Sequence, residues 1–174
     1  MRLFELLFLI WVVPQIAWSQ DIQQLANTEK RDRIMFYNTE NLFDVYNDSL
    51  TNDDEFTPEG DRKWNNYKFY KKLNNLSKVI ISIGEWNPPS IIGLCEVENR
   101  FVLNKLIYET PLKSFDYKII HAESPDRRGI DVAMLYRQSR FEPIYFHPIS
   151  INFPDNPESK TRDILYVKGI AGGT

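Results

Sequence analysis

Two segments place oxygen donors directly after apolar runs. In the first, Asn38-Thr39-Glu40-Asn41-Leu42-Phe43-Asp44 follows Ile34-Met35-Phe36-Tyr37. Asn38 and Glu40, two residues apart, can offer one neutral and one anionic oxygen to a hard cation. The plainer reading is a turn in which Asn38 bonds its own backbone. In the second, Glu96 opens Glu96-Val97-Glu98-Asn99 after the run Ile91 to Cys95. A carboxylate emerging from a buried strand is costly unless a cation or a donor meets it. Mg²⁺ uses one or two carboxylates and fills its remaining positions with water and substrate phosphate. Acidic residues also suit the first turn of a helix, and the local pattern does not separate the two readings.

Other polar groups are less specific. Arg162, in Thr161-Arg162-Asp163, precedes a strand and can give a phosphate two parallel hydrogen bonds. Arg127-Arg128 precedes another strand and reads as a solvated loop, with Asp131 just beyond it. Asp53-Asp54-Glu55 reads most simply as a solvated acidic loop, a bound cation being the alternative. Cys95 lies within an apolar run and behaves as a small hydrophobe. His121 and His147 have no evident partners and are read as structural or exposed. No G-x-S-x-G, P-loop or G-x-G-x-x-G motif is present.

The elements that must hold these residues follow from periodicity. Ile34–Tyr37 and Ile91–Cys95 read as buried strands. Between them lies the polar stretch 47–63, read as an exposed loop, and then a helix. Trp64, Tyr67, Tyr70, Leu73, Leu76, Val79, Ile80 and Ile83 form its apolar stripe, with Gly84 as its stop. A second helix spans Phe101 to Tyr108, with Asn99 as its cap. Strands follow at Tyr117–Ile120, Asp131–Tyr136, Phe141–Phe146 and Ile164–Val167. The order strand, helix, strand, helix, then strands predicts an α+β fold. Its mixed sheet carries both helices on one face. The other face is left apolar, and the chain reads as ending where a covering element should begin. Self-pairing across that face is a minor alternative.

Composition sets outer limits. The 174 residues are 43% apolar and 26% charged, which excludes collagen, low-complexity disorder and disulfide scaffolds. With 21 basic and 24 acidic residues the net charge is -3, so the chain is no basic nucleic-acid clamp. One cysteine and two histidines are too few for a Cys/His zinc site. Residues 1–19 have the form of a secretory leader, with Arg2, the run Leu6 to Val13, and small residues at Ala17 and Ser19. The apolar stretch is short of a membrane span. The reading is a signal peptide over 1–19, a polar lead-in over 20–33, and a domain over 34–174. The mature chain is then exported, periplasmic or extracellular, with no membrane span.

Six colinear strings carry a family resemblance: FYNTENLFD (36–44), DDEFTPEGDRKW (53–64), KLNNLSKVI (72–80), IIGLCEVENRFVL (91–103), SPDRRGIDVAMLYR (124–137) and TRDILYVKG (161–169). The chain resembles the endonuclease/exonuclease/phosphatase superfamily of DNase I-like proteins, in its exported bacterial branch. That resemblance implies the first half of a four-layer α/β sandwich. It implies a metal-dependent phosphoesterase that hydrolyses phosphodiesters, with Mg²⁺ as cofactor and Mn²⁺ or Ca²⁺ as substitutes. Glu96 matches the principal metal ligand, Asn38 a residue holding phosphate and metal, and Glu40 an acidic second ligand. Arg162 resembles a phosphate-contacting arginine, and Asp131 belongs to a matched string. The implied partner is a phosphate ester, nucleic acid included. The Asn-His-Trp, Gly-Asp-x-Asn and Asp-His segments that complete catalysis in the family do not occur in these residues. The alternative is therefore a non-catalytic fragment, or a module binding phosphate or metal.

Overall fold

The run at Ile34 extends into strand β1, Ile34–Leu42, and the run at Ile91 into β2, Ile91–Val97. They pair in parallel, from Ile34 opposite Ile91 to Asn38 opposite Cys95. Parallel pairing requires a long crossover between the strands. Helix α1, Asn66–Ile83, lies within it. This computed structural model describes residues 32–85 and 87–172, so the leader and most of the lead-in lie outside the described residues.

Both helices begin as side-chain caps dictate. Asn65 accepts from Lys68 N at the start of α1. Asn99 accepts from Val102 N at the start of α2, Arg100–Tyr108. Each satisfies a backbone donor that has no partner within its helix. Gly84 ends α1 for a steric reason. A Cβ there would lie 2.3 Å from Asn87 O, and the left-handed residue is the next one, Glu85.

Strands β3, Tyr117–His121, and β4, Asp131–Arg137, complete a mixed sheet in the order β1-β2-β4-β3. β4 runs antiparallel to both neighbours. α1 and α2 cover one face, burying Leu73, Ile80, Leu103 and Leu106 against Met35, Ile92, Leu94 and Leu135. On the opposite face Ile120 and Met134 meet Phe141, Leu165 and Val167. The last three belong to a separate hairpin, β5 (Phe141–Ile149) and β6 (Ile164–Ala171). Ile34 and Phe36, on that face of β1, are exposed. The α+β class, the mixed sheet and the shared helical face are as the sequence predicts. No described helix is long and apolar enough to cross a membrane.

Two sequence expectations are corrected. The helical stripe expected from sequence runs in steps of three, which drift around a helix of 3.6 residues per turn. The buried residues of α1 are Phe69, Leu73, Leu76, Ser77 and Ile80, stepping by four, three, one and three. Tyr67 is 75% exposed. The stretch 47–63 is only partly exposed. It folds back through a 3₁₀ turn at Asp54–Phe56, burying Asp53, Phe56 and Thr57. There Phe56 stacks on Phe43 and meets Trp64 edge-on.

The corrected stripe is checked by thermal or denaturant unfolding. Leu73→Ala should cost about 2–5 kcal/mol through cavity formation. Tyr67→Ala should stay within about 0.5 kcal/mol of the parent.

Candidate metal and phosphate site

Side chains alternate between the two faces of a strand. On β2, Ile92 and Leu94 point into the helical core, so regular alternation would send Glu96 there too. The strand avoids this with a bulge at Glu96. Cys95 pairs with Val132 and Val97 with the next residue, Asp131, leaving Glu96 as the extra residue. Val97 then takes the core position. β1 breaks step at the same level. Asn38 pairs with Cys95 and Leu42 with Val97, so three residues of β1 face Glu96 alone. Three non-glycine residues adopt left-handed backbone here: Glu40 (φ 55°), Asn41 (φ 64°) and Glu96 (φ 62°). Such conformations cost about 1–2 kcal/mol each.

Polar contacts hold this geometry. The buried Thr39 hydroxyl lies 2.9 Å from the Cys95 carbonyl and 2.8 Å from the Glu96 carbonyl, sharing its proton between them. Asn38 Oδ1 accepts from Glu40 N at 2.8 Å, the turn-forming bond its residue type favours. From α1, Lys72 Nζ donates to Glu40 O at 2.6 Å and Asn41 O at 3.2 Å, and lies 5.7 Å from the Trp64 ring centre. Burial lowers the Lys72 pKa, while the charges of Glu40 and Glu96 oppose that shift. Trp64 is itself anchored by a bond from its indole N–H to Phe43 O.

Glu96 stands at the centre of this frame, its side chain 17% exposed. Asn41 N donates to Oε2 at 3.1 Å, and Arg162 reaches Oε1 at 3.4 Å from just before β6. A carboxylate has about four acceptor positions, so roughly two remain open on Glu96. Asn38 Oδ1 likewise keeps a second lone pair. One partly exposed carboxylate with open acceptor positions fits a hard cation that retains several waters, with Asn38 and the exposed Glu40 on the neighbouring strand. Arg162 uses one of its five N–H donors on Glu96, which leaves others to face a phosphate.

Glu96 and Arg162 are thus in contact, and Asn38 and Glu40 flank them on the paired strand. Asp131 is not part of this group. It sits at the same sheet end, opposite Val97, but its carboxylate is taken up elsewhere. Oδ1 accepts from Ser124 N at 2.8 Å, and Oδ2 lies 3.0 Å from His121 Nε2. With Glu123 these residues place three ligand-type atoms within 4.8 Å of one another. His121 therefore has a partner that the sequence reading did not find, and His147 stacks on Tyr145. The Cys95 thiol is pushed up by burial and by the charge of Glu96, which agrees with its reading as a small hydrophobe. Arg127 and Arg128 lie in the exposed loop expected for them. Asp53 is buried rather than solvated.

A third group gathers nearby. Glu98 Oε2 accepts from Asp44 N at 2.6 Å, and Asn99 Nδ2 donates to Asp44 Oδ2 at 3.1 Å. Burial pushes the Glu98 carboxyl up to about 8, and the charges of Asp44, Asp53 and Asp48 act in the same direction. The bond from Asp44 N opposes them. Thr39, Lys72 and this buried acidic group were not singled out from sequence. Thr39 left a usable trace, a hydroxyl at an inward strand position that demands a partner.

Replacing Glu96 with Gly and with Ala separates backbone strain from side-chain loss. Both remove the carboxylate, but only Gly occupies φ 62° without a Cβ clash. Glu96→Gly should be more stable than Glu96→Ala by about 1 kcal/mol in chemical denaturation, the reverse of their usual order in strands.

No curated protein matches this chain. It is similar to the crystal structure of an endonuclease/exonuclease/phosphatase family protein from Bacteroides thetaiotaomicron, at 16% identity and a TM-score of 0.38. The likeness covers 72% of this chain and 37% of that one, so the chain spans well under half of that protein's length. Residues 33–173 match the Endonuclease/Exonuclease/phosphatase family as a whole. With most of its length inside that match, the chain belongs to the endonuclease/exonuclease/phosphatase family.

Proposed function

We propose that this chain forms part of an exported, metal-dependent phosphoesterase acting on phosphodiesters, with Mg²⁺ held by Glu96, Asn38 and Glu40. Family membership supports the phosphoester class. The observation that carries the residue assignment is the bulge at Glu96. It turns a carboxylate out of an apolar core and leaves open acceptor positions beside a guanidinium. When bound, the cation supplies charge stabilisation at the phosphoryl oxygens and a water more acidic than bulk.

The chain's own residues then have distinct tasks. Glu96 is oriented by Asn41 N, so its carboxylate needs little rearrangement to bind. Preorganisation of this kind is what makes electrostatic stabilisation effective. Arg162 balances the Glu96 charge and keeps donors for the non-bridging oxygens of a phosphate. Asn38 is held by its own turn, and Lys72 fixes the Glu40–Asn41 backbone.

The test uses the full-length enzyme of which this chain forms part, with bis(p-nitrophenyl) phosphate and added Mg²⁺. EDTA should abolish turnover, and Glu96→Gln should lower kcat by about 100-fold or more, in the range of a lost preorganised electrostatic group. Arg162→Lys should mainly raise KM, because a point charge replaces a planar fork. Mg²⁺ binding without turnover would replace this reading with a module that binds phosphate or metal. Full activity in Glu96→Gln would remove Glu96 from the reaction.

A further inference from the structure

Strand β1 loses its regular step with β2 between Asn38 and Leu42. Two residues in that gap, Glu40 and Asn41, are left-handed, which a Cβ disfavours. Such backbone persists only where its surroundings hold it. Helix α1 reaches over to do so. The Lys72 ammonium donates to Glu40 O at 2.6 Å and to Asn41 O at 3.2 Å, placing two of an ammonium's three N–H donors on the main chain. Trp64, just before α1, grips the same segment further along, its indole N–H donating to Phe43 O at 3.0 Å.

Glu40 O and Asn41 N are the two ends of one planar, trans peptide group. Its carbonyl accepts from Lys72 at 2.6 Å, and its N–H donates to Glu96 Oε2 at 3.1 Å. The two bonds leave a trans peptide in opposite directions, so ammonium, peptide and carboxylate form one hydrogen-bonded row. A peptide polarised at its oxygen by a cation is a stronger donor at its nitrogen. Charge alone would give Lys72 a different effect. Its ammonium feels both Glu40 and Glu96, and a positive charge so placed repels a cation bound to them.

We propose that Lys72 is a positioning residue for the cation site, holding the Glu96 carboxylate in its binding orientation through the Glu40–Asn41 peptide, and that this outweighs its repulsion of the ion. The inference rests on the assignment of Glu96 as a cation ligand. Positioning and repulsion predict opposite signs for Lys72→Met, which keeps an apolar stem and removes the charge and its donors. Loss of positioning weakens Mg²⁺ binding, whereas loss of repulsion tightens it.

Two measurements on the full-length enzyme of which this chain forms part test it. In chelator-treated protein, the Asn41 amide should exchange with deuterated solvent about tenfold faster in Lys72→Met than in the parent, the scale of one hydrogen bond to a charged group. Isothermal titration with MgCl₂ should show binding weakened about tenfold or more, as for other outer partners of metal ligands. Lys72→Arg keeps the charge and offers N–H donors, and should return both values toward the parent. Lys71→Met, at the exposed neighbouring position, should leave both unchanged. Mg²⁺ binding that is unchanged or tighter in Lys72→Met overturns the proposal, and so does unchanged exchange at Asn41. Binding that depends on Glu96 but not on Lys72 removes the positioning role alone. Binding that is also indifferent to Glu96→Gln removes the metal assignment on which that role rests.

Discussion

A carboxylate cannot remain at an inward position of a strand whose inward face packs against two helices. Ile92 and Leu94 define that face on β2, and Glu96 is next in phase. Burying it ionised and unpaired would cost on the order of tens of kcal/mol, more than the three left-handed residues together at about 1–2 kcal/mol each. The bulge is the cheaper solution, and the rest of the site follows from it. One extra residue flips the parity of everything beyond it, which is why Val97 returns to the core while Glu96 turns out. β1 must break step at the same level, and so Glu40 and Asn41 also become left-handed. The Thr39 hydroxyl then satisfies carbonyls that the interrupted ladder cannot.

Most of the fold was legible because its signals are local. Apolar runs of four or five residues mark β1 and β2, and Asn99 sits where a cap belongs. The failures were also physical. A stripe drawn in steps of three slips by about 60° per step from a helix of 3.6 residues per turn, so Tyr67 was assigned inward and Phe69 was overlooked. The 47–63 stretch is polar by composition, yet Phe56 has a stacking partner thirteen positions away in Phe43, and local composition does not register such pairings. The bulge itself leaves no sequence trace, because glutamate and asparagine rather than glycine take the left-handed positions. His121 and Asp131 are ten residues apart on neighbouring strands, and only the pairing of β3 with β4 joins them.

Topology explains why acidic groups collect at one sheet end. β1 and β2 run parallel, so both finish there, and β4, antiparallel to β2, begins there. Glu96, Glu98 and Asp131 therefore come together from two strands. The fold treats them differently. Asp131 has both oxygens engaged, with His121 on one and Ser124 N on the other. Glu96 is met by Arg162 at the edge of hydrogen-bond range. Glu98 has a backbone donor and carboxylate neighbours but no cationic side chain.

These differences decide which carboxylate keeps open acceptor positions. A group with both oxygens engaged in short bonds and no solvent access must break contacts before it can coordinate anything, and that reorganisation opposes catalysis. Asp131 is such a group, 1% exposed with both oxygens occupied. Its string resembles the family's, and its bond with His121 joins β3 to β4. Glu96 has the opposite character. One oxygen is oriented by a backbone N–H, and the other lies 3.4 Å from the partly exposed Arg162 side chain. The bulge therefore does more than remove a charge from the core. It leaves that charge partly exposed, oriented on one oxygen and loosely paired on the other.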